Sequence, residues 1–180
     1  VAEGGKRKAA VIRPAGTEDY EHLAELLLEC LEARPEPPNH FLPEVLGALR
    51  DYGSGSSAAF EALLAEVGGP HGRRKKAERE PAVGFALYGS LFWPRDLTPA
   101  LFVKELYVQP AYRGEGLGRA LMASLARIAL QRQWKRLFLA VDLRNEKALA
   151  FYRSLPGSSP MKADLFGFEE EALFDLAEGL

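Results

Sequence analysis

The chain predicts an α+β fold (an α/β three-layer arrangement), with a mixed sheet carrying helices on its faces in a single domain. Three observations carry this. Apolar residues at three- and four-residue steps mark helices early and late in the chain. Compact apolar runs bounded by Gly and Pro mark strands between them. A length of 180 residues buries one substantial core and is tight for two ordinary domains. A hydrophobic fraction of 47% and a charged fraction of 27% are those of an ordinary globular protein, which excludes disorder throughout.

Residues 1–8 read as a flexible tail and 9–13 as a first strand, ended by Pro14. Thr17 is placed to cap a helix over 18–33, with Glu18 and Asp19 in its first turn, where the helix dipole favours them. Leu23, Leu26, Leu27 and Leu31 give that helix its apolar face, and Cys30 packs within it. Arg34-Pro-Glu-Pro-Pro-Asn-His stops it, because prolines remove donors and push the residue before them out of the α region. A shorter helix, 43–52, follows. This helical pair and its Pro-rich joint either wall a substrate site or simply connect to the sheet. Gly53-Ser-Gly-Ser-Ser is a turn, and 60–67 and 82–92 are strands. Their joint, 68–81, holds the dense basic run Arg73-Arg-Lys-Lys76, a solvated hairpin tip or a contact for an acidic partner. Residues 93–99 lead into a central strand, 101–108. A helix runs from the glycines to about Gln133, its apolar face set by Leu117, Leu121, Leu125 and Ile128. Residues 136–141 form a strand, 146–155 a helix capped by Asn145, 156–164 a loop, and 168–176 a last strand. Residues 9–180 thus read as one domain.

The net charge of −2 and pI near 6.0 provide no broad attraction to nucleic acid or an anionic membrane. Cys30 is the only cysteine, which excludes an internal disulfide framework and a cysteine zinc site and suits a reducing, cytoplasmic location. The N-terminus lacks the apolar core of a signal peptide, and nowhere do about 18 apolar residues run uninterrupted. His22, His40 and His71 have no metal-ligand spacing.

The chemistry concentrates in Arg113-Gly-Glu-Gly-Leu-Gly118. A strand that delivers glycines to a helix N-terminus presents backbone N–H groups to a phosphate. A Walker A loop requires Gly-Lys followed by Ser or Thr, but Arg119-Ala120 follows Gly118. The dinucleotide fingerprint requires a glycine where Arg119 stands. What remains is the Arg/Gln-x-x-Gly-x-Gly/Ala loop, met by Arg113, Gly116 and Gly118, or a plain glycine turn entering a helix.

The surroundings of the loop decide between these. Val83-Gly-Phe-Ala-Leu-Tyr88, Leu106-Tyr-Val-Gln-Pro-Ala-Tyr-Arg-Gly-Glu-Gly-Leu-Gly118 and Asn145-Glu-Lys-Ala-Leu-Ala-Phe-Tyr152 resemble, in order and spacing, the GNAT superfamily of acetyl-CoA-dependent N-acetyltransferases. The resemblance runs over 83–157, with a weaker stretch over 11–31, and is most similar to the polyamine and thialysine (diamine) N-acetyltransferases. It implies a mostly antiparallel sheet, acetyl-CoA as co-substrate, no metal, a homodimer to which Leu173, Phe174 and Leu176 are suited, and direct acetyl transfer to an amine. By the same resemblance the backbone of Leu106, Tyr107 and Val108 receives the pantetheine. Arg113, Gly114, Glu115, Gly116, Leu117, Gly118 and Arg119 form the pyrophosphate loop, and Asn145 contacts the cofactor.

Direct transfer needs a neutral amine, a stabilised oxyanion and a proton for the leaving thiolate. Tyr152 is the candidate acid, since a phenol of pKa about 10 keeps its proton at neutral pH; it also suits simple packing beside Phe151. Glu105 is the candidate base, through a water, because it interrupts an apolar strand just before the cofactor segment; an ordinary exposed strand residue is the other reading. Polyamine enzymes of the family carry two adjacent acidic residues here, whereas this chain has Lys104-Glu105. An ammonium in place of a carboxylate repels a polycation, so a diamine, a basic amino-acid analogue or another primary amine stands beside polyamine as the acceptor. A peptide or protein amine, or a non-catalytic acyl-CoA-binding regulatory module, are the alternatives.

Overall fold

The computed structural model describes residues 9–53, 58–68, 82–163 and 165–178. The predicted tail, the Ser-rich part of the 53–57 turn, Asp164 and the basic run Arg73 to Lys76 lie outside the described residues. The chain divides into two units, residues 1–140 and 141–180.

The first unit is built on a five-stranded sheet of β1 (Ala9–Pro14), β2 (Glu61–Gly68), β3 (Ala82–Trp93), β4 (Thr98–Val108) and β5 (Leu137–Leu139), ordered as in the sequence. The pairings from β1 to β4 are antiparallel, and β5 runs parallel to β4. This is the mixed, mostly antiparallel sheet that the sequence implies.

Alternation along the strands divides the core into two apolar layers. On one face, Leu64, Phe85, Leu87 and Tyr107 pack with Leu23, Leu26 and Cys30 of α1 (Tyr20–Glu32) and Val45 and Leu49 of α2 (Leu42–Tyr52). On the other, Leu63, Ala65, Ala86, Leu101 and Val103 pack with Leu117, Leu121, Leu125 and Ala129 of α3 (Leu117–Gln131). Leu121 and Leu125 are completely buried. The helix ends at Gln131, where Gln133 takes a left-handed conformation (φ 59°) and the Trp134 N–H bonds the Ala129 carbonyl at 2.8 Å. That bond closes the last turn without the usual glycine.

Thr17 is not the cap of α1. It lies in a 3₁₀ turn, Thr17–Asp19, and the helix begins at Tyr20. The turn is fastened by Asp19, whose carboxylate accepts from the Gly16 N–H at 2.8 Å and pairs with Arg13 at 2.7 Å. Arg13 also donates to Glu66 at 2.7 Å. A two-carboxylate anchor on β1 outcompetes a hydroxyl cap because charge-assisted bonds are the stronger ones.

The second unit contains α4 (Glu146–Arg153) and α5 (Glu170–Glu178). The predicted last strand is a helix. Ala172, Leu173, Leu176 and Ala177 recur at helical steps. Three successive glutamates, 169–171, disfavour a strand. Among the described residues no helix is long and apolar enough to cross a membrane.

Candidate functional site

The predicted site on the first unit is set by two departures from regularity in β4. The first is a bulge. Leu87 pairs with Glu105 and Tyr88 with Val103, so Lys104 is the extra residue. Without it, Glu105 would share the α3 face with Leu101 and Val103, since side chains alternate. With it the phase reverses, and Glu105 and Tyr107 face α1 while Leu106 and Val108 turn to the α3 layer. Lys104 is exposed, and its Cε lies 3.1 Å from where a Cβ on Gly89 would stand.

On the α1 face the Glu105 carboxylate meets two partners. Cys30 Sγ lies 3.6 Å from Oε1, and Arg34, just past the end of α1, pairs with Oε2. Two residues further along β4, Tyr107 Oη donates to Glu29 Oε1 at 2.7 Å, and Gln109 Nε2 donates to the other oxygen of Glu29 at 2.8 Å. Burial and the Glu29 carboxylate both push the Tyr107 phenol up, so it stays protonated. Burial first, and Glu105 second, push the Cys30 thiol up to about 12.

The second departure is the loss of a neighbour. The register with β5 covers only Leu101, Phe102 and Val103, whereas β4 continues to Val108. Among the described residues no strand is paired to that edge of Leu106, Tyr107 and Val108, so backbone polar groups on that side suit an extended amide-bearing ligand.

The glycine loop follows. Pro110–Tyr112 forms a 3₁₀ turn, and Gly114 (φ 81°) and Gly116 (φ 91°) are left-handed, Gly116 capping α3. A Cβ on either glycine would meet nothing within 4 Å. The loop therefore needs glycine for its backbone conformation, and it leaves open space at the helix N-terminus. The first N–H groups of α3, from Leu117 to Arg119, have no carbonyl one turn earlier inside the helix. Leu117 anchors the loop by burial, while Glu115 and Arg119 are exposed.

Arg113 does something the motif did not announce. Its Nε donates to the Val108 carbonyl at 2.8 Å, and its guanidinium lies 5.6 Å from the Tyr107 ring centroid. It ties the loop to the end of β4.

On the second unit, Asn145 caps α4, its Oδ1 accepting from the Ala148 N–H at 3.0 Å. Tyr152 is half-buried and meets Phe151 edge-on, with centroids 5.0 Å apart. The structural explanations for both are therefore observed. Among the described residues no cluster of His, Cys, Asp and Glu could hold a metal. A cavity of about 160 Å³ bordered by Tyr20, Gly53, Phe60 and Tyr88 contains no predicted site residue.

Sequence reasoning missed Glu29, Arg34 and Gln109. The bulge was the available signal: apolar β4 residues fall at 101, 103, 106 and 108, and the three-residue step across Lys104-Glu105 breaks the period of two.

The family model for the acetyltransferase (GNAT) family matches residues 77–155. A thialysine N-epsilon-acetyltransferase from Sus scrofa is 32% identical over 139 residues, covering 72% of this chain and 76% of that protein. The protein of that name from Bos taurus is 29% identical, covering 93% and 96%. Among solved structures, an integron cassette protein from the mobile metagenome of V. cholerae superimposes with a TM-score of 0.79 at 22% identity, covering 97% of this chain and 100% of that one. An aminoglycoside N-acetyltransferase in complex with CoA gives a TM-score of 0.70 at 17% identity, covering 94% and 99%.

Proposed function

Since the chain belongs to the GNAT acetyltransferase family and is an acetyl-CoA-dependent N-acetyltransferase, we propose that it acetylates a primary amine of a small molecule: a diamine, a polyamine or a basic amino-acid analogue. The observation that carries this is the bulge at Lys104, which turns a carboxylate, Glu105, to the face opposite α3 on the strand that leads to the glycine loop. The names of the Sus scrofa and Bos taurus relatives support an amine on a lysine-like side chain.

The loop fits acetyl-CoA. Two left-handed glycines and the open N-terminus of α3 suit a pyrophosphate, and the edge of Leu106, Tyr107 and Val108, to which no described strand is paired, suits the pantetheine amides. When bound, acetyl-CoA supplies a thioester acyl group. The protein's part is to hold that donor and manage two protons. Glu105 accepts one from the substrate ammonium through a water, since only the neutral amine is a nucleophile. Tyr152 Oη is the proposed donor of the other, and Asn145 the proposed further contact to the cofactor. Gly114 to Arg119 act through backbone N–H groups, with Arg113 holding the loop to β4.

We take residues 9–180 as one catalytic domain, because the Bos taurus relative aligns over 93% of the chain. A cytoplasmic homodimer completes the reading. Leu173, Phe174 and Leu176 are exposed on α5, which suits a partner copy.

An amine panel with acetyl-CoA and thiol-release detection tests this. Small diamines and lysine-like amines are expected to give turnover. Tyr152→Phe is expected to lower kcat by about 100-fold, within the usual range for a lost proton donor. Measurable acetyl-CoA binding without turnover on any amine would leave a regulatory module instead. Selective turnover of peptides would move the acceptor to protein amines. A strong preference for spermidine over small diamines would remove the weight given to Lys104.

A further inference from the structure

Glu105 has both carboxylate oxygens engaged within its own unit, and the two partners differ in kind. Cys30 is buried in α1 and fixed there. Arg34 lies beyond the helix, on a turn in which its N–H bonds the Leu31 carbonyl at 3.2 Å, immediately before Pro35, Pro37 and Pro38. Its side chain is 48% exposed against 24% for Glu105. The prolines restrict the backbone on which Arg34 rides, while the long, half-exposed side chain retains rotamers that reach solvent. In this pair, then, the carboxylate is the fixed member and the guanidinium the movable one.

The chemistry of the two groups makes that asymmetry matter. A guanidinium is a donor only and stays charged throughout the working pH range. While it occupies Oε2 it fills the place that a substrate ammonium, or the water relaying its proton, would take. A primary ammonium is the same kind of guest, a single positive charge with N–H donors, so it can replace the guanidinium with charge and hydrogen bonding conserved.

We propose that Arg34 is a gating residue: a tethered cation that occupies the Glu105 carboxylate in the free enzyme and is displaced by the acceptor amine. Arg34 is a positioning residue and acts through Glu105. The role rests on the reading above that the acceptor is a small amine received at Glu105. It makes the enzyme less avid for any cationic acceptor than a bare carboxylate would be, and it keeps Glu105 paired when no amine is present.

Calorimetric titration of the full chain with 1,4-diaminobutane, without acetyl-CoA, tests the gate directly. Arg34→Ala is expected to tighten diamine binding by about twofold to fivefold, the range for releasing a partly exposed ion pair. Arg34→Lys, which keeps a cation, should lie near wild type. In a Glu105→Gln background Arg34→Ala should have no effect, because there is no carboxylate to free. In turnover assays the Arg34→Ala change should fall on KM for the amine, with KM for acetyl-CoA and kcat little moved. Unchanged or weaker binding in Arg34→Ala overturns the gate. So does an effect that survives Glu105→Gln, or an absence of diamine binding in every variant. Melting curves by circular dichroism identify any variant that is simply unfolded, and Arg34→Gln then replaces Arg34→Ala in the series. Binding that follows this pattern without turnover sinks the transferase reading and leaves the gate standing. Turnover with an amine KM insensitive to Arg34 does the reverse.

Discussion

Cys30 sits at the hinge of the residue-scale chemistry. Its thiol is buried in α1, and its pKa is pushed up to about 12 by desolvation first and by the Glu105 carboxylate second, with Arg34 and Arg113 pulling the other way. Because the folded value is raised, the thiolate that alkylating reagents need is scarce at pH 8. Iodoacetamide should therefore label the native chain on the order of 1,000-fold more slowly than the urea-unfolded chain, judged by the shift from an ordinary thiol pKa of about 8.5. Glu105→Gln should raise the native rate, since it removes a negative neighbour. Native and unfolded rates that coincide would show that the Cys30 thiol is not buried in the native fold, and a native rate unmoved by Glu105→Gln would show that it is not held beside Glu105. The packing of Cys30 was legible in the sequence, from its place in the repeat of Leu23, Leu26, Leu27 and Leu31. Its contact with Glu105 was not, because residues 75 positions apart are joined by sheet pairing and bulge phase, and neither is a local property.

At the scale of the element, the loop between β4 and α3 is where sequence and structure agree most closely. Of the two glycines that the motif singles out, Gly116 is left-handed, as is Gly114 before it, whereas Gly118 lies inside α3 without a positive φ. Gly116→Ala has no clash to relieve, since nothing lies within 4 Å. Its cost is backbone strain alone, about 1–2 kcal/mol, which lowers Tm by roughly 2–8 °C for a chain of this size. The new methyl also stands in the open space at the helix N-terminus, so KM for acetyl-CoA should rise. Gly47→Ala inside α2 also meets nothing within 4 Å, but its conformation is helical. The same substitution there should stabilise by about 0.5–1 kcal/mol. Opposite signs in thermal melts check the pair, and a harmless Gly116→Ala would show that the left-handed turn is not required. The C-terminal element was misread for an instructive reason. The stretch Phe168 to Leu176 alternates too loosely to exclude a helix, and its three successive glutamates disfavour a strand. Thr17 failed as a cap for a related reason, because Arg13, four residues earlier on β1, holds Asp19 more strongly than a hydroxyl holds an amide.

At the scale of the whole molecule, burial is distributed unevenly between the two units. Among the described residues every buried apolar side chain lies between Tyr20 and Ala129, in the layers formed by α1 and α2 on one face of the sheet and α3 on the other. The second unit offers helices of 8 and 9 residues, below the length at which an isolated helix holds itself together in water. Residues 9–140 should therefore fold alone, with a cooperative thermal transition, while 141–180 expressed alone should show little helix by circular dichroism. The roles proposed for Asn145 and Tyr152 make a second demand on the same fragment. It should still bind acetyl-CoA through the glycine loop, more weakly than the full chain, and release thiol at least about 100-fold more slowly with every amine. A fragment that unfolds without cooperativity would mean that the core between Tyr20 and Ala129 is not self-sufficient. A fragment that folds and turns over amines at the full-length rate would remove Tyr152 from the chemistry and leave Glu105, on β4, to manage the substrate proton without it.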